Sequence, residues 1–333
     1  MRFTLFLMLL LLAAPTTAQT PSDQDDVIRV ETDITNLPFT ATDSSRRFIT
    51  TLAAEDIRVL EDGVPQKLFT FQRETDRPLA LAFLIDVSLS QEKTLPDEKA
   101  AVRTFMENVV QSNKDQVAII PFTGLPYLEL EMTRDMLNAY RVLQRVEVAA
   151  PAYYGSGRPL GGISTGPGMP APPEEGRTSI NDAVALTADD VLAQVPGQRR
   201  RAMILLTDGL DTSSRLTRKD AIERALQAEA VIYVIGIGDY SMSGEGVDKG
   251  MLKDLAERTG GRAFFPKKEV DLQASFAEIE KELRTQYLLA YSSTNKKRDG
   301  MYRKITVEVL NPELKKQKVQ LRYRPGYFAR RGQ

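Results

Sequence analysis

Four continuous apolar runs of strand length, separated by segments of helical periodicity, constrain this chain more than any other feature. They are Leu79–Ile85, Val117–Phe122, Met203–Leu206 and Val231–Ile235. A strand with one face in water alternates apolar and polar residues, so runs like these belong to strands covered on both faces. Helical stripes lie between them. One is formed by Val102, Phe105, Met106, Val109 and Val110, and others fall near Ile180–Leu192, Arg218–Glu229 and Val247–Arg258. A short strand at Arg262–Phe265 and a last helix marked by Leu272, Phe276, Ile279 and Leu283 complete the series. Alternation this regular predicts an α/β fold: a doubly wound, mainly parallel sheet with helices on both faces.

Short β segments flank that series. Val27–Val30 alternates, Ile57–Leu60 is apolar around one Arg, and Lys67–Phe71 follows the turn signal Glu61-Asp-Gly-Val-Pro65. Beyond the last helix, Gln286–Tyr291, Arg303–Leu310 and Val319–Tyr323 read as strands. Residues 281–333 carry 14 Lys+Arg against 4 Asp+Glu, and residues 19–76 carry 6 against 12, a balance that fits packing of the two flanks together, with a solvated basic face as the competing reading. The expected organisation is a signal peptide at 1–18, a β-rich segment at 19–76, the α/β domain at 77–285 and a β-rich ending at 286–333. Residues 151–177 interrupt the domain with seven Gly and six Pro, the composition of a mobile surface insertion. It delivers the chain to Thr178.

Composition removes whole classes of chemistry. Among 333 residues there is no Cys, His or Trp. Disulfides, thiolate or imidazole metal sites, a cysteine nucleophile and a histidine base are therefore excluded. What remains is oxygen chemistry, and any metal must be a hard cation such as magnesium, manganese or calcium. With 44 Lys+Arg balanced by 45 Asp+Glu, nothing draws the chain to nucleic acid. Arg2, the apolar run Phe3–Ala14 and small residues ending at Ala18 have the three-part pattern of a secretory signal peptide. The mature chain is expected in the periplasm or outside the cell, without membrane insertion, since no second stretch reaches spanning length.

Oxygen ligands concentrate at strand ends. Leu79–Ile85 runs into Asp86-Val-Ser88-Leu-Ser90, and Met203–Leu206 into Thr207-Asp208-Gly209. Ligands of open α/β sheets gather outside the carboxyl ends of strands, which is where both loops should lie. Asp-x-Ser-x-Ser after the first buried strand, a Thr before a later helix and Thr-Asp-Gly after another strand resemble the metal-ion-dependent adhesion site of von Willebrand factor type A domains, over about residues 79 to 285. The resemblance implies that Asp86, Ser88, Ser90, Thr178 and Asp208 hold one divalent cation, usually magnesium. It further implies a binding protein, not an enzyme, whose protein partner offers an Asp or Glu to the metal. The leader Val59-Leu-Glu-Asp-Gly-Val-Pro-Gln66 and the ending Arg324-Pro-Gly-Tyr-Phe328 are similar to a bacterial secreted subgroup, the VWFA-related or acidobacterial-type family.

Three other readings compete. Ser90-Gln-Glu-Lys93 fits the Ser-x-x-Lys pattern of penicillin-binding proteins, with Ser90 as nucleophile and Lys93 as base, but that arrangement needs an antiparallel sheet. Metal-assisted hydrolysis needs an extra base, and no further acidic cluster is legible at a strand end. A scaffold with an empty site is the third. Asp211 reads as a turn residue, with support of the metal ligands as its alternative, and Arg258-Thr-Gly-Gly261 as a helix end with a glycine stop.

Overall fold

The computed structural model describes residues 34–73, 77–148, 158–161, 177–196, 199–237 and 247–331. The expected signal peptide, the alternating Val27–Val30 segment and most of the Gly/Pro insertion lie outside the described residues. The N-terminal flank supplies β1 (Ile34–Thr42), β2 (Ile57–Glu61), β3 (Val64–Pro65) and β4 (Leu68–Arg73). Of these, β2 and β4 fall where alternation and the turn signal place them, whereas β3 occupies the last two residues of the expected turn. The longest, β1, is not among the expected segments. It turns Leu37, Phe39 and Ala41 inward at alternate positions, but Pro38 interrupts the pattern, and proline within a run argues against a strand.

The α/β domain follows the predicted alternation. It opens with β5 (Leu79–Asp86), α1 (Leu95–Val109) and β6 (Gln116–Phe122). Then come β7 (Tyr127–Leu128), β8 (Leu130–Thr133), α2 (Met136–Arg145) and β9 (Arg158–Pro159). The helix α3 (Ile180–Thr187) continues through a π-helical turn at Ala188–Leu192 into β10 (Arg200–Thr207). The series ends with α4 (Arg218–Gln227), β11 (Ala230–Gly236), α5 (Lys249–Thr259), β12 (Ala263–Phe264) and α6 (Glu269–Thr285). The sheet order is β12-β11-β10-β5-β6-β8, and every pairing is parallel except β6 with β8. That edge strand and α2 extend the expected fold; four residues containing Glu131 and Thr133 are too short and polar to register as a buried strand.

All eight residues of β5 are buried because successive side chains meet opposite helical layers. Leu81, Phe83 and Ile85 join Val102, Phe105 and Met106 of α1 with Phe276 and Ile279 of α6. Ala80, Ala82 and Leu84 join Val184 of α3, Ile222 of α4 and Leu252 of α5. Phe83 meets Phe105 edge-on at 6.1 Å, a favoured aromatic geometry. The helix ends obey local signals. Thr217 and Asp220 form a capping box on α4, and α5 stops at Gly260 in the left-handed region (φ 90°). A Cβ on Gly260 would lie 2.8 Å from the Arg324 backbone nitrogen, so glycine is required by close approach as well as by φ.

The C-terminal flank contributes β13 (Tyr287–Ser292), β14 (Tyr302–Val309), α7 (Pro312–Lys316), β15 (Gln320–Tyr323) and β16 (Gly326–Phe328). Its strands interleave with those of the N-terminal flank in the orders β15-β1-β13-β4 and β16-β14-β2-β3. The flanks therefore pack together as expected. Backbone ladders and a polar knot hold them more than net charge does: buried Glu61 of β2 accepts from Tyr291 and Tyr327 (2.9 Å each) and from Ser293. Part of the insertion is ordered. Arg158–Pro159 pairs with β7, Leu160 is fully buried, and the Gly161 N–H donates to Asp190 at 2.6 Å. Among the described residues no helix is long and apolar enough to cross a membrane.

Candidate metal centre

Asp86 is the last residue of β5 and is fully buried. Its Oδ1 accepts the Ser88 N–H at 3.0 Å, and its Oδ2 accepts the Thr207 hydroxyl at 2.6 Å from the end of neighbouring β10. The Val87 N–H donates to Phe122 of β6 at 2.9 Å, which keeps the chain on the sheet line for one more residue before it turns. A 3-10 turn at Leu89–Gln91 then brings Ser90 Oγ to 2.9 Å from Ser88 Oγ. Asp208 follows β10 directly. Gly209 after it has φ 90°, and a Cβ there would lie 2.8 Å from Leu252 Cδ1, so this loop needs glycine to turn.

Thr178 enters from a third direction. Its N–H donates to Thr212 Oγ1 at 2.8 Å, and its carbonyl accepts the N–H groups of Thr212 (2.9 Å) and Ser213 (3.1 Å) in the loop after β10. The adjacent Ser179 donates both N–H and Oγ to Thr123 in the loop after β6. Thr178 is thereby fixed two residues before α3 at the same carboxyl edge as Ser88 and Asp208. Asp211 does more than turn the chain: its Oδ2 accepts the Asn181 N–H at 3.0 Å, and Asp182 in return accepts the N–H groups of Arg215 and Leu216. These reciprocal bonds join the start of α3 to the loop carrying Asp208.

Two residues invisible to motif reading complete the site. Gln91 is fully buried, and with its amide assigned so that donors meet acceptors, Oε1 accepts the Asp208 N–H at 2.8 Å and the nitrogen donates to Glu98 Oε1 at 2.9 Å. Glu98 lies on the buried stripe of α1 with Leu95, Val102 and Phe105, and its Oε2 has no hydrogen-bond partner among the described residues. An acid on a helix stripe was the only available signal. Glu98 comes from a helix and not from a strand end, where no further acidic cluster was expected. Burial, and then the neighbouring Asp208 charge, push the Asp86 carboxyl up to about 6. Burial, with the charges of Asp86 and Asp208 as lesser contributions, pushes Glu98 up to about 8. Carboxyl groups forced together in a dry site without compensating cations are held partly protonated.

The donor chemistry suits a hard divalent ion. Among the described residues no three Asp or Glu side chains form a metal-sized cluster, so two carboxylates and neighbouring hydroxyls are the available set. Such a set satisfies only part of the roughly six oxygen positions, about 2.0–2.1 Å away, that magnesium requires. The sheet beneath Ser90 is parallel, unlike the antiparallel support of a Ser-x-x-Lys nucleophile.

A doubly wound sheet thus carries an acid and hydroxyl loop at the carboxyl edge of its parallel strands. The sequence profile of the von Willebrand factor type A domain matches residues 169–278. A search of curated proteins finds no match. Among solved structures, BatB from Bacteroides thetaiotaomicron is 19% identical with a TM-score of 0.45, covering 61% of this chain and 98% of that one. Proximal thread matrix protein 1 of the mussel byssus, in a structure described as having a zinc-occupied MIDAS motif, is 16% identical with a TM-score of 0.48. The match covers 67% of this chain and 50% of that one. A von Willebrand factor type A protein from Catenulispora acidiphila is 13% identical with a TM-score of 0.48, covering 84% and 70%.

Proposed function

We propose that this is an exported binding protein of the bacterial VWFA-related type, whose 77–285 domain engages an acidic group on a protein partner through one divalent cation. Asp86, Ser88, Ser90, Thr178 and Asp208 would hold the ion, with magnesium the first candidate and manganese or calcium as alternatives. The observation that carries the reading is the junction of buried Asp86 with the Ser88–Ser90 hydroxyl pair and with Thr207, the residue preceding Asp208. A bound cation would supply a Lewis-acidic point for an incoming carboxylate oxygen. This chain's own groups do the positioning. Thr207 and the Ser88 N–H orient Asp86, Gln91 holds the Asp208 backbone, and the Asp182 and Asp211 bonds keep Thr178 at the same edge. Leu89 and Leu210, each about half exposed in the two metal-side loops, would select partners that place an apolar group beside the acid.

Isothermal titration of the purified chain with magnesium and manganese tests the site. Binding by the native chain and its loss in Asp86→Ala, with the far-ultraviolet circular dichroism unchanged, is the expected outcome. Equal affinity in the variant would remove Asp86 from the site. Capture of an envelope protein in magnesium but not in EDTA tests the partner.

A further inference from the structure

The loop that carries Ser88 and Ser90 continues into α1 along one helical path. The Gln91 N–H donates to the Ser88 carbonyl (2.9 Å), the Thr94 N–H to the Gln91 carbonyl (3.1 Å) and the Glu98 N–H to the Thr94 carbonyl (3.0 Å). Steps of three and four residues put Gln91, Thr94 and Glu98 on one face, and all three are buried. Polar side chains hold such positions when they are matched, and the Gln91 amide shows by what. Its Oε1 meets the Asp208 N–H (2.8 Å), a group that can only donate, so the amide nitrogen faces Glu98 Oε1 (2.9 Å) and Thr94 Oγ1 (2.5 Å). Gln91 lies in the loop after β5, and Asp208 in the loop after β10.

These two loops are therefore joined twice. One join runs from the Thr207 hydroxyl to Asp86 Oδ2 (2.6 Å) and occupies an oxygen of a ligand carboxylate. The other, through Gln91, grips main chain alone and leaves the Asp208 carboxylate untouched. Stretching a buried hydrogen bond bares a donor at a high cost, so the protein itself holds the separation of the two loops. Magnesium demands a near-ideal octahedron of oxygens at about 2.0–2.1 Å, whereas calcium accepts a looser shell at about 2.3–2.6 Å. A frame of fixed span suits the ion with the stricter geometry. Resting on the metal reading above, we infer that the Gln91 amide, steadied by Thr94 and Glu98, is a positioning group that makes the site prefer magnesium over calcium.

Calorimetric titration of the full chain with magnesium and with calcium, beside hydrogen exchange at the Asp208 amide in EDTA, tests this. The native chain should prefer magnesium. Gln91→Leu should weaken magnesium binding about ten-fold, the equivalent of one lost hydrogen bond, and calcium binding by less than about three-fold. Its Asp208 amide should exchange about ten-fold faster. Gln91→Glu sets two acids face to face and should do at least as much harm; adding Glu98→Gln restores a carboxyl–amide pair and should recover both the slow exchange and the magnesium preference. Should Gln91→Leu fail to fold, that pair of variants carries the test. Equal losses for both ions, unchanged exchange at Asp208, or no recovery on adding Glu98→Gln would overturn the inference and leave the metal site standing. A native chain that binds neither ion would remove the metal reading itself, and the inference with it.

Discussion

The two ends of the central sheet differ in chemistry for one reason. At the carboxyl end of the strands, α1, α3, α4 and α5 begin, and each carries an acid at its cap or in its first turn: Asp97 and Glu98, Asp182, Asp220, and Asp248. At the amino end helices finish, and arginines donate to late or flanking carbonyls: Arg201 to Ala228 after α4 and Arg200 to Leu283 near the end of α6. Helices that cross back over parallel strands direct their positive dipole ends to one edge and their negative ends to the other. Acids and arginines sort accordingly. Helix ends do not satisfy every group. Glu98 Oε2 at one end, and Arg201 Nε and Arg324 Nε at the other, have no hydrogen-bond partner among the described residues.

The largest expected effect that would sharpen this contrast is a pH response from the acidic end. Glu98 in the folded chain is held at about 8 against an ordinary 4.5, so the folded state binds its proton more tightly than the unfolded state. Without metal, that contribution is complete below about pH 4.5 and is lost as pH rises through about 8, a fall of up to a few kcal/mol. Urea unfolding in EDTA at pH 5 and pH 8 should show it, and Glu98→Gln should flatten the slope. An unchanged slope would break the claim that Glu98 is the strained acid.

At the cationic end the effect should be smaller. Arg200→Gln frees the Leu283 carbonyl and should cost about 1–2 kcal/mol, seen as a Tm lower by a few degrees with no change in pH slope. A pH slope altered by this variant would mean that the two edges are coupled. Smallest of all is an exposed pair away from both ends. Arg103 and Glu107 on α1 lie 3.0 Å apart with side chains about half exposed, so Arg103→Ala should change stability by less than about 0.5 kcal/mol. A larger loss would show that surface charge in general, rather than charge at the sheet ends, governs stability.

Much of this was legible because buried parallel strands cannot hide. Leu79–Ile85 and Val231–Ile235 are apolar at every position since both faces are covered, and the Asp-x-Ser-x-Ser and Thr-Asp-Gly loops follow strands as motif spacing implies. Strand β1 escaped notice because Pro38 breaks its pattern and its pairing partners, β13 and β15, are distant in sequence. Glu98 escaped because a single acid on an apolar stripe resembles a boundary residue until Gln91 and the Asp208 loop close over it. Arg324 and Arg201, 123 positions apart, share no local pattern at all.

By itself, then, the amino-acid order determined the α/β alternation, the β character of both flanks and the restriction to oxygen and guanidinium chemistry, because periodicity and missing residue types are local properties. Only the tertiary structure decided that the flanks interleave strand by strand, that Thr178 shares an edge with Ser88, and that Glu98 Oε2, Arg201 Nε and Arg324 Nε are among the buried polar atoms left without hydrogen-bond partners in the described residues. Those outcomes depend on which distant segments exclude water from one another, and that is a property of packing rather than of any window of sequence.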